Sequence, residues 1–377
     1  YWQKKSDIPR TENYITHKLT YFLESTFSNF GNTFTHFTFD NKLAYNPNDN
    51  KIDVRQIDLN EFVLIHNNRK VIDKLIPLEH ENADVEDVLS PFFKESDKKP
   101  NIVILVVESL GREWSGNTDL GVSYTPFLDS LMNHSLYWSN CLSTTKRSFG
   151  AVPTITGSLP HGPKGFQFGN MPDHNSLLSM LKQNGYQTNA FYASDFTFDA
   201  IQEYLTAQQI DYMSTGLKQE CFDKKNPCLG TYWGYHDEFM FNRSFEIMND
   251  TVKQPYCNLY VTISAHDAIN EKNCKMDSIL EITRSIISKL PKERQVAELK
   301  LEKRIATIVY TNFALQQFFA QYSQREDFAN TIFIVTGDHS AELDVKNRLG
   351  LYHVPLFIYS PLLTRAGYFK SVVSHCD

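Results

Sequence analysis

Beyond residue 100, the apolar residues fall into two alternating patterns, short continuous runs and segments with a helical period. Continuous runs rich in β-branched residues are typical of strands buried on both faces of a parallel sheet. "NIVILVVES" is such a run, and strands are also predicted in "LYWSNCLS", "QTNAFYAS", "NLYVTISAH", "TIFIVTGDH" and "VPLFIYSP". Helical periodicity predicts helices in "TPFLDSLMNHS", in "HNSLLSMLKQNGY" and from Arg304 to Gln324.

Local signals mark the ends of two of these helices. Thr125 followed by Pro126 suits an N-cap and a first helical position, and Gly185 suits a helix end. Strands alternating with helices predict an α/β fold with a mostly parallel central sheet and helices on both faces. The charged segment from Asn270 to Lys303 breaks this alternation and predicts a helical insertion over one sheet edge.

Residues 1–97 have a different texture. They are polar, rich in Asn, Asp, Lys and aromatic residues, and weakly patterned. We expect an N-terminal appendage or linker that packs on the main domain. The Lys98-Lys99-Pro100 step marks the boundary, so the main domain spans residues 98–377.

Composition narrows the class of protein. Apolar residues make up 41% and charged residues 21% of the chain, which is ordinary for a globular protein. A net charge of -7 and the lack of a basic stripe argue against a nucleic-acid partner. Cys221 and Cys228 bracket a polar loop that a short disulfide could close in an oxidising compartment. Unrelated reduced thiols are the alternative.

Polar, chemically versatile residues lie at or next to the ends of the apolar runs. They are Glu108-Ser109, His266-Asp267, Asp338-His339 and Tyr352-His353. In open α/β sheets, ligands sit beyond the carboxyl ends of the strands. Carboxylates and imidazoles are ligands for zinc and manganese, so their convergence would build a metal site.

A loop dense in hydroxyl groups follows "LYWSNCLS". It holds Ser143, Thr144, Thr145 and Ser148, with Lys146 and Arg147 among them. A hydroxyl near a metal ionises more easily and becomes a nucleophile, while adjacent cations favour an anionic substrate. A Ser/Thr-rich loop that merely caps a helix is the alternative.

Six motifs stand in the order found in the alkaline phosphatase superfamily. They are "NIVILVVES", "TTKRSFGAVPTITGSLP", "WGYHDEFMF", "ISAHD", "VTGDHS" and "YHVPLFIYSP". From Pro100 to Asp377 the chain resembles the sulfatase-type branch, which contains lipoteichoic acid synthases (phosphoglycerol transferases) and lipid A phosphoethanolamine transferases. The C/S-x-P-x-R motif of true sulfatases is missing from the sequence, which argues against sulfate-ester hydrolysis.

The resemblance implies roles for particular residues. Glu108, Asp338 and His339 would bind one divalent metal, Mn²⁺ or Zn²⁺. His266 and His353 would contact the phosphate-bearing substrate or leaving group and carry protons, and Lys146 and Arg147 would bind the substrate. Trp233 and His236 would be structural or close to the substrate.

The same resemblance leaves two candidates for the nucleophile. Ser148 follows Arg147, as the nucleophile of the branch often follows a basic residue. An ungapped match to the phosphoethanolamine transferases falls instead on Lys146, next to Thr145. We therefore expect Ser148 to be both metal ligand and nucleophile, with Thr145 as the second choice.

The implied activity is headgroup transfer. A phosphoglycerol or phosphoethanolamine group would pass from a phospholipid donor through a covalent phospho-enzyme to a glycan or lipid acceptor. The alternatives are a metal-dependent phosphodiesterase or phosphatase of the same fold, and a non-catalytic module that binds glycans or lipids. The resemblance also implies a membrane-anchored, extracytoplasmic full-length protein, continuing before Tyr1 and beyond "VVSHCD".

Overall fold

The computed structural model describes residues 69–73, 76–82, 87–116, 121–159, 175–214, 233–270, 273–341 and 349–377. The chain divides into two compact units, residues 1–86 with 162–165, and residues 87–161 with 166–377. In the first unit the described part is an antiparallel hairpin of β1 (Arg69–Asp73) and β2 (Ile76–Asn82). Most of the predicted appendage lies outside the described residues, and its boundary at Lys98 stays a prediction.

The second unit is built on an eight-stranded sheet. Its strands are β3 (Asn101–Val107), β4 (Leu136–Leu142), β5 (Gln187–Tyr192), β6 (Tyr212–Met213), β7 (Tyr256–Val261), β8 (Thr331–Gly337), β9 (His353–Tyr359) and β10 (Gly367–Ser374). Their order is β10-β4-β9-β8-β3-β7-β5-β6, and β9 alone among them runs antiparallel to its neighbours. The predicted mostly parallel sheet is confirmed.

The predicted strands owe their buried positions to their apolar runs. Every residue of β7 is buried, and in β3 every residue except Ile102 is buried. Strands β6 and β10 were not predicted, because β6 has only two residues and "GYFKSVVS" has no long apolar run and no buried residue. Strand β10 is an edge strand, and its pairing with β4 defines it.

Helices cover the sheet. They are α1 (Pro126–Met132), α2 (Ser148–Gly157), α3 (Leu177–Gln183), α4 (Ile201–Ala207), α5 (Asp237–Thr251), α6 (Met276–Ile287), α7 (Lys292–Leu299) and α8 (Glu302–Tyr322). The predicted helices are present as α1, α3 and α8, with Pro126 at the first position of α1. No helix of the described ranges is long and apolar enough to cross a membrane.

The insertion predicted from Asn270 to Lys303 contains α6 and α7. Both helices pack on each other and on α8, whose Phe318 and Phe319 meet aromatic residues of the sheet. The expectation that this segment covers a sheet edge is therefore wrong. The reason is the apolar stripe of α6 (Ile279, Leu280, Ile286 and Ile287), which is buried in the core cluster shared with α8.

Strand register brings three predicted site segments to one edge of the sheet. β3 lies between β8 and β7, with Val107 paired to Gly337 and Val106 paired to Val261. All three strands run in the same direction. The residues that follow them, Glu108, Asp338 and the loop leading to His266, therefore emerge side by side.

The described cysteines differ in state. Cys274 is disulfide-bonded, whereas the buried Cys141 and Cys257 are free thiols. Cys221 and Cys228, the pair considered for a short disulfide, lie outside the described residues. A disulfide at Cys274 fits an oxidising compartment.

Gly337 is the last residue of β8, where the backbone of Leu110 crosses closely. A Cβ at this position would lie 2.0 Å from the carbonyl oxygen of Leu110 and 2.8 Å from its carbonyl carbon. We expect Gly337→Ala to lower the free energy of unfolding by about 1–3 kcal/mol, because backbone atoms must move apart. Urea denaturation measures this change.

Gly121→Ala is the control. Gly121 has a φ of 60° but nothing within 4 Å of an added Cβ, so only a backbone penalty of about 1 kcal/mol is expected. Equal destabilisation by the two substitutions would contradict the close approach at Gly337.

Candidate active site

Two buried carboxylates form the centre of the site. Glu108 and Asp338 follow the paired ends of β3 and β8, and each is 1% exposed. Ser109 joins them, since its backbone N–H donates to Asp338 Oδ1 at 2.8 Å and its hydroxyl donates to Glu108 Oε1 at 2.8 Å. Thr262, at the end of β7, accepts a bond from the Glu108 N–H at 2.9 Å.

Thr262 was missed as a site residue, and Ser109 was named at the strand end but given no role. The signal available in the sequence was only the position of Ser109 directly after Glu108. Its backbone has a φ of 56°, a left-handed conformation that costs a non-glycine residue energy. That turn aims the Ser109 N–H and hydroxyl at two carboxylates from different strands, so the conformation serves the site.

His339 lies beside both carboxylates. Its Nδ1 is 2.8 Å from the Ser340 carbonyl oxygen, which can only accept, so Nδ1 carries the proton. Nε2 lies 3.6 Å from Glu108 Oε1 and 3.4 Å from Asp338 Oδ2. In neutral His339 this nitrogen therefore presents a lone pair to the carboxylates, the arrangement usual for a metal-bound histidine held by a backbone carbonyl.

Ser148 completes the group as the first residue of α2. Its Oγ lies 2.9 Å from Glu108 Oε2 and 2.6 Å from Asp338 Oδ2. The hydroxyl has one proton, so it can donate to only one of these carboxylates at a time. Its place at a helix N-terminus also favours negative charge on or near it.

The two carboxyl groups influence each other's ionisation. Burial by itself would raise the pKa of Glu108, but His339 and His266, with the Ser109 and Ser148 hydroxyls, bring it below its usual value. Burial and the Glu108 charge raise the pKa of Asp338. Two like charges in one dry site repel, so the pair carries less than its full charge until a cation arrives.

These residues fit a divalent metal. Glu108, Asp338 and His339 each offer a ligand atom, and these atoms lie within 4.8 Å of one another. The site holds more hydrogen-bond acceptors than protons to share among them, because two carboxylates, the Nε2 lone pair of His339 and the Ser148 hydroxyl converge there. A cation would satisfy that excess, so the donor set supports the predicted metal ligands, including Ser148.

The other hydroxyl candidate, Thr145, is hydrogen-bonded within its own loop. Its Oγ1 accepts a bond from the Arg147 N–H at 3.1 Å, and its carbonyl accepts one from Ser143 Oγ at 3.0 Å. These bonds close the loop just before Ser148, but no side-chain hydrogen bond from the described residues caps the N-terminus of α2, so the alternative of a helix-capping loop is wrong. Lys146 lies over the Tyr352 ring at 5.9 Å, and Arg147 is exposed.

His266 lies on the loop after β7. Its ring is 4.8 Å from that of Trp233, and its Nδ1 is 3.7 Å from Asp267 Oδ1. The Trp233 indole N–H donates to Asp267 Oδ2, so these three residues form a partly exposed wall of the site. His236 instead is 6% exposed and packs edge-on against Tyr310.

His353 begins β9, which enters the sheet at the edge where β8 ends. Its Nε2 lies 2.7 Å from the Ser139 carbonyl oxygen, to which it donates. Burial, with the nearby Arg112 charge, lowers the pKa of His353 to about 4, so the ring is neutral at pH 7. Its predicted role in contacting substrate stays a prediction.

Asp237, at the start of α5, holds the loop that carries His266. Its Oδ1 accepts the backbone N–H groups of Ile263 at 2.9 Å and Ser264 at 3.1 Å. This residue lies in the predicted "WGYHDEFMF" segment but had no predicted role. Only the fold brings it to the end of β7.

Comparison with known proteins places these residues in context. The sulfatase family model matches residues 100–377. A lipoteichoic acid synthase-like protein, YvgJ, of Bacillus subtilis (strain 168) is 21% identical over 293 residues, which cover 71% of this chain and 44% of the relative. The chain thus spans less than half the length of that curated relative.

Solved structures share the fold. The lipoteichoic acid synthase LtaP from Listeria monocytogenes aligns with a TM-score of 0.62 at 20% identity, covering 78% of this chain and 73% of that chain. The C-terminal periplasmic domain of EptC from Escherichia coli, in complex with zinc, gives 0.50 at 14% identity, covering 71% and 74%. At these identities the likeness shows the fold alone.

Removing a carboxylate ligand tests the metal site. We expect Glu108→Gln and Asp338→Asn each to weaken Mn²⁺ or Zn²⁺ binding by more than about 100-fold, since even groups outside the ligand shell change metal affinity by 10–100-fold. Isothermal titration calorimetry measures the affinity. Glu238→Gln is the control, because that carboxylate pairs with Lys275 outside the site; wild-type binding by Glu108→Gln would contradict the assignment.

Asp237 predicts a pH dependence of stability. Burial raises its pKa from 3.8 to about 6, so ionisation opposes folding. The stabilisation that protonated Asp237 gives to the folded state is fully present below about pH 4 and is lost as the pH rises through about 6. Relative to Asp237→Asn, the wild type should lose about 3 kcal/mol of unfolding free energy between pH 4 and pH 7. Denaturant curves with a chelator present measure this, and parallel pH profiles would contradict it.

Proposed function

The chain belongs to the sulfatase family, and from that premise we propose that it is a metal-dependent phosphoryl-headgroup transferase. The resemblance predicted from six motifs is thereby confirmed at the level of the family. The donor we propose is a phospholipid with a phosphoglycerol or phosphoethanolamine headgroup. The acceptor is a hydroxyl of a glycan or lipid.

One observation carries this proposal, the contact of a serine hydroxyl with both buried carboxylates. Ser148 Oγ lies 2.9 Å from Glu108 and 2.6 Å from Asp338. An unmodified serine can form a phosphate ester, whereas a sulfatase of this family needs a formylglycine made within a C/S-x-P-x-R motif. The residues after Ser148 read "FGAV", which do not complete that motif. Phosphoryl transfer therefore suits this chain better than sulfate-ester hydrolysis.

Glu108, Asp338, His339 and Ser148 would hold one divalent cation. When bound there, Mn²⁺ or Zn²⁺ would withdraw charge from the phosphoryl oxygens and favour the ionised form of the serine hydroxyl. Imidazole, carboxylate and hydroxyl ligands suit either ion. Zinc is the ion in the EptC complex, which makes it the first to try.

In the first step Ser148 Oγ attacks the phosphorus of the donor. A bond forms between Oγ and phosphorus, and the bond from phosphorus to the glycerol oxygen of the diacylglycerol breaks. The serine proton passes to water, and the leaving alkoxide gains a proton from a protonated histidine, which becomes neutral. The N-terminus of α2, with Lys146 and Arg147 beside it, favours the negative phosphoryl group there.

In the second step the acceptor hydroxyl attacks the phosphorus. Its oxygen bonds to phosphorus and gives its proton to the neutral histidine, the Ser148 Oγ–phosphorus bond breaks, and the serine regains a proton from water. His266 is the better proton carrier of the two predicted histidines, because it lies on the partly exposed wall of the site. His353 is neutral at pH 7 and already donates to a carbonyl, so it suits binding better than acid catalysis.

The disulfide at Cys274 supports an extracytoplasmic location. We propose that the full-length protein is anchored to the outer face of the cytoplasmic membrane, where its lipid donor is available. The EptC domain, which shares this fold, is a periplasmic domain, and this supports the same location for the present chain.

Serine and threonine variants test the nucleophile. With Zn²⁺ or Mn²⁺ and fluorescent phosphatidylglycerol or phosphatidylethanolamine, the wild type should release diacylglycerol. Ser148→Ala should lower this rate by at least about 10³-fold, as loss of a covalent nucleophile does. Thr145→Ala should change it by only a few fold. Phosphopeptide mass spectrometry should find the headgroup phosphate on Ser148.

Three other results would change the proposal. An inactive Thr145→Ala beside an active Ser148→Ala would move the nucleophile. If the headgroup is released to water and added glycerol or glycan acceptors do not change the products, the protein is a phosphodiesterase. If the wild type binds lipid or glycan in the absence of metal and cleaves neither donor, the protein is a binding module.

A further inference from the structure

Arg304 lies near the start of α8 and reaches into the candidate site from outside the predicted motifs. One guanidinium nitrogen, Nη2, donates to Ser109 Oγ at 3.1 Å. The other, Nη1, donates to the carbonyl oxygen of Ala265. We propose that Arg304 is a positioning residue, which selects the Glu108 oxygen available to Ser148 and the metal, and which fixes the loop carrying His266. This inference rests on the proposed function.

The direction of the hydrogen bonds follows from elementary chemistry. A guanidinium group can only donate, so Ser109 Oγ must accept from Arg304. The single proton of that hydroxyl is then directed to Glu108 Oε1, 2.8 Å away. Without Arg304, the Ser109 hydroxyl could rotate and donate elsewhere.

This chain of bonds distinguishes the two oxygens of Glu108. Oε1 accepts from Ser109, and Oε2 faces Ser148 at 2.9 Å. A carboxylate whose second oxygen is held in this way cannot turn about its last bond without losing that hydrogen bond. Arg304 therefore acts on the reacting serine through two intermediates, Ser109 and Glu108.

The second contact of Arg304 ties the site to β7. Ala265 precedes His266, and its carbonyl is held by the same guanidinium that holds Ser109. The ends of β3 and β7 are thus linked through one side chain of α8. A bidentate contact of this kind requires the planar fork of arginine, which a lysine ammonium does not reproduce.

Charge supports the same role. Burial lowers the pKa of Arg304, while Glu108, Asp267 and Asp338 raise it, and an arginine remains charged at any pH at which the protein folds. A permanent cation beside two buried carboxylates offsets part of their repulsion. It does so without occupying a ligand position.

Metal binding by Arg304 variants tests the proposal. Arg304→Met keeps an unbranched apolar stem and removes the guanidinium donors, and we expect it to weaken Zn²⁺ or Mn²⁺ binding by about 10–100-fold. Arg304→Lys should restore only part of this loss. Titration calorimetry gives the affinities, and the unfolding temperature of each variant shows whether it is folded.

A double-mutant cycle separates positioning from a general structural effect. Ser109→Gly removes the hydroxyl at a position where the φ of 56° suits glycine. If Arg304 acts through Ser109, the double variant should bind metal about as weakly as Arg304→Met alone. Independent, multiplying losses would overturn the proposed route.

Arg284→Gln is the matched control, because the largely exposed Arg284 of α6 pairs with Glu302 at the start of α8. It should keep wild-type metal affinity. Wild-type affinity in Arg304→Met would overturn the inference, whether or not the enzyme transfers headgroups. If the wild type binds no metal, crystal structures decide. An unchanged Glu108 side chain and 265–267 loop in Arg304→Met would overturn the inference, and displacement of both would support it.

Discussion

Two carboxyl groups buried next to each other, Glu108 and Asp338, impose the constraint that the surrounding structure must satisfy. Their charges repel in a site from which water is nearly excluded, and burial penalises each of them. Around them the fold places donors from several directions, above all Ser109 and Ser148. A divalent cation would satisfy the charge that these donors leave uncompensated.

The backbone that carries these groups is rigid for a physical reason. β3 is flanked within the sheet by two parallel strands, β7 and β8. Its end therefore cannot move without breaking two ladders of hydrogen bonds. Ser109 then turns the chain through a left-handed conformation within one residue. Strain in that turn is tolerated because its N–H and hydroxyl both find partners that are themselves fixed.

Much of this arrangement could be predicted from local patterns. The apolar runs before Glu108 and Asp338-His339 are long and β-branched enough to predict buried strands, and the rule that parallel strands end at one edge predicts their proximity. Strand β10 and the placement of the helical insertion could not be predicted in this way. Both positions depend on which apolar surface remains uncovered after the other strands and helices have packed, and the local sequence does not specify that surface.

The sequence by itself determined the fold class, marked Glu108, Asp338 and His339 as candidate metal ligands at the strand ends, and left Ser148 and Thr145 as candidate hydroxyls. Those features rest on local chemistry and on motifs a few residues long. The tertiary structure decided that the Ser148 hydroxyl contacts the carboxylates and that His339 directs the lone pair of Nε2 toward them. It also decided that Arg304 contacts Glu108 through Ser109. Arg304 is 196 residues from Glu108 along the chain, and no local pattern links them, because their contact exists only through the packing of α8 on the sheet.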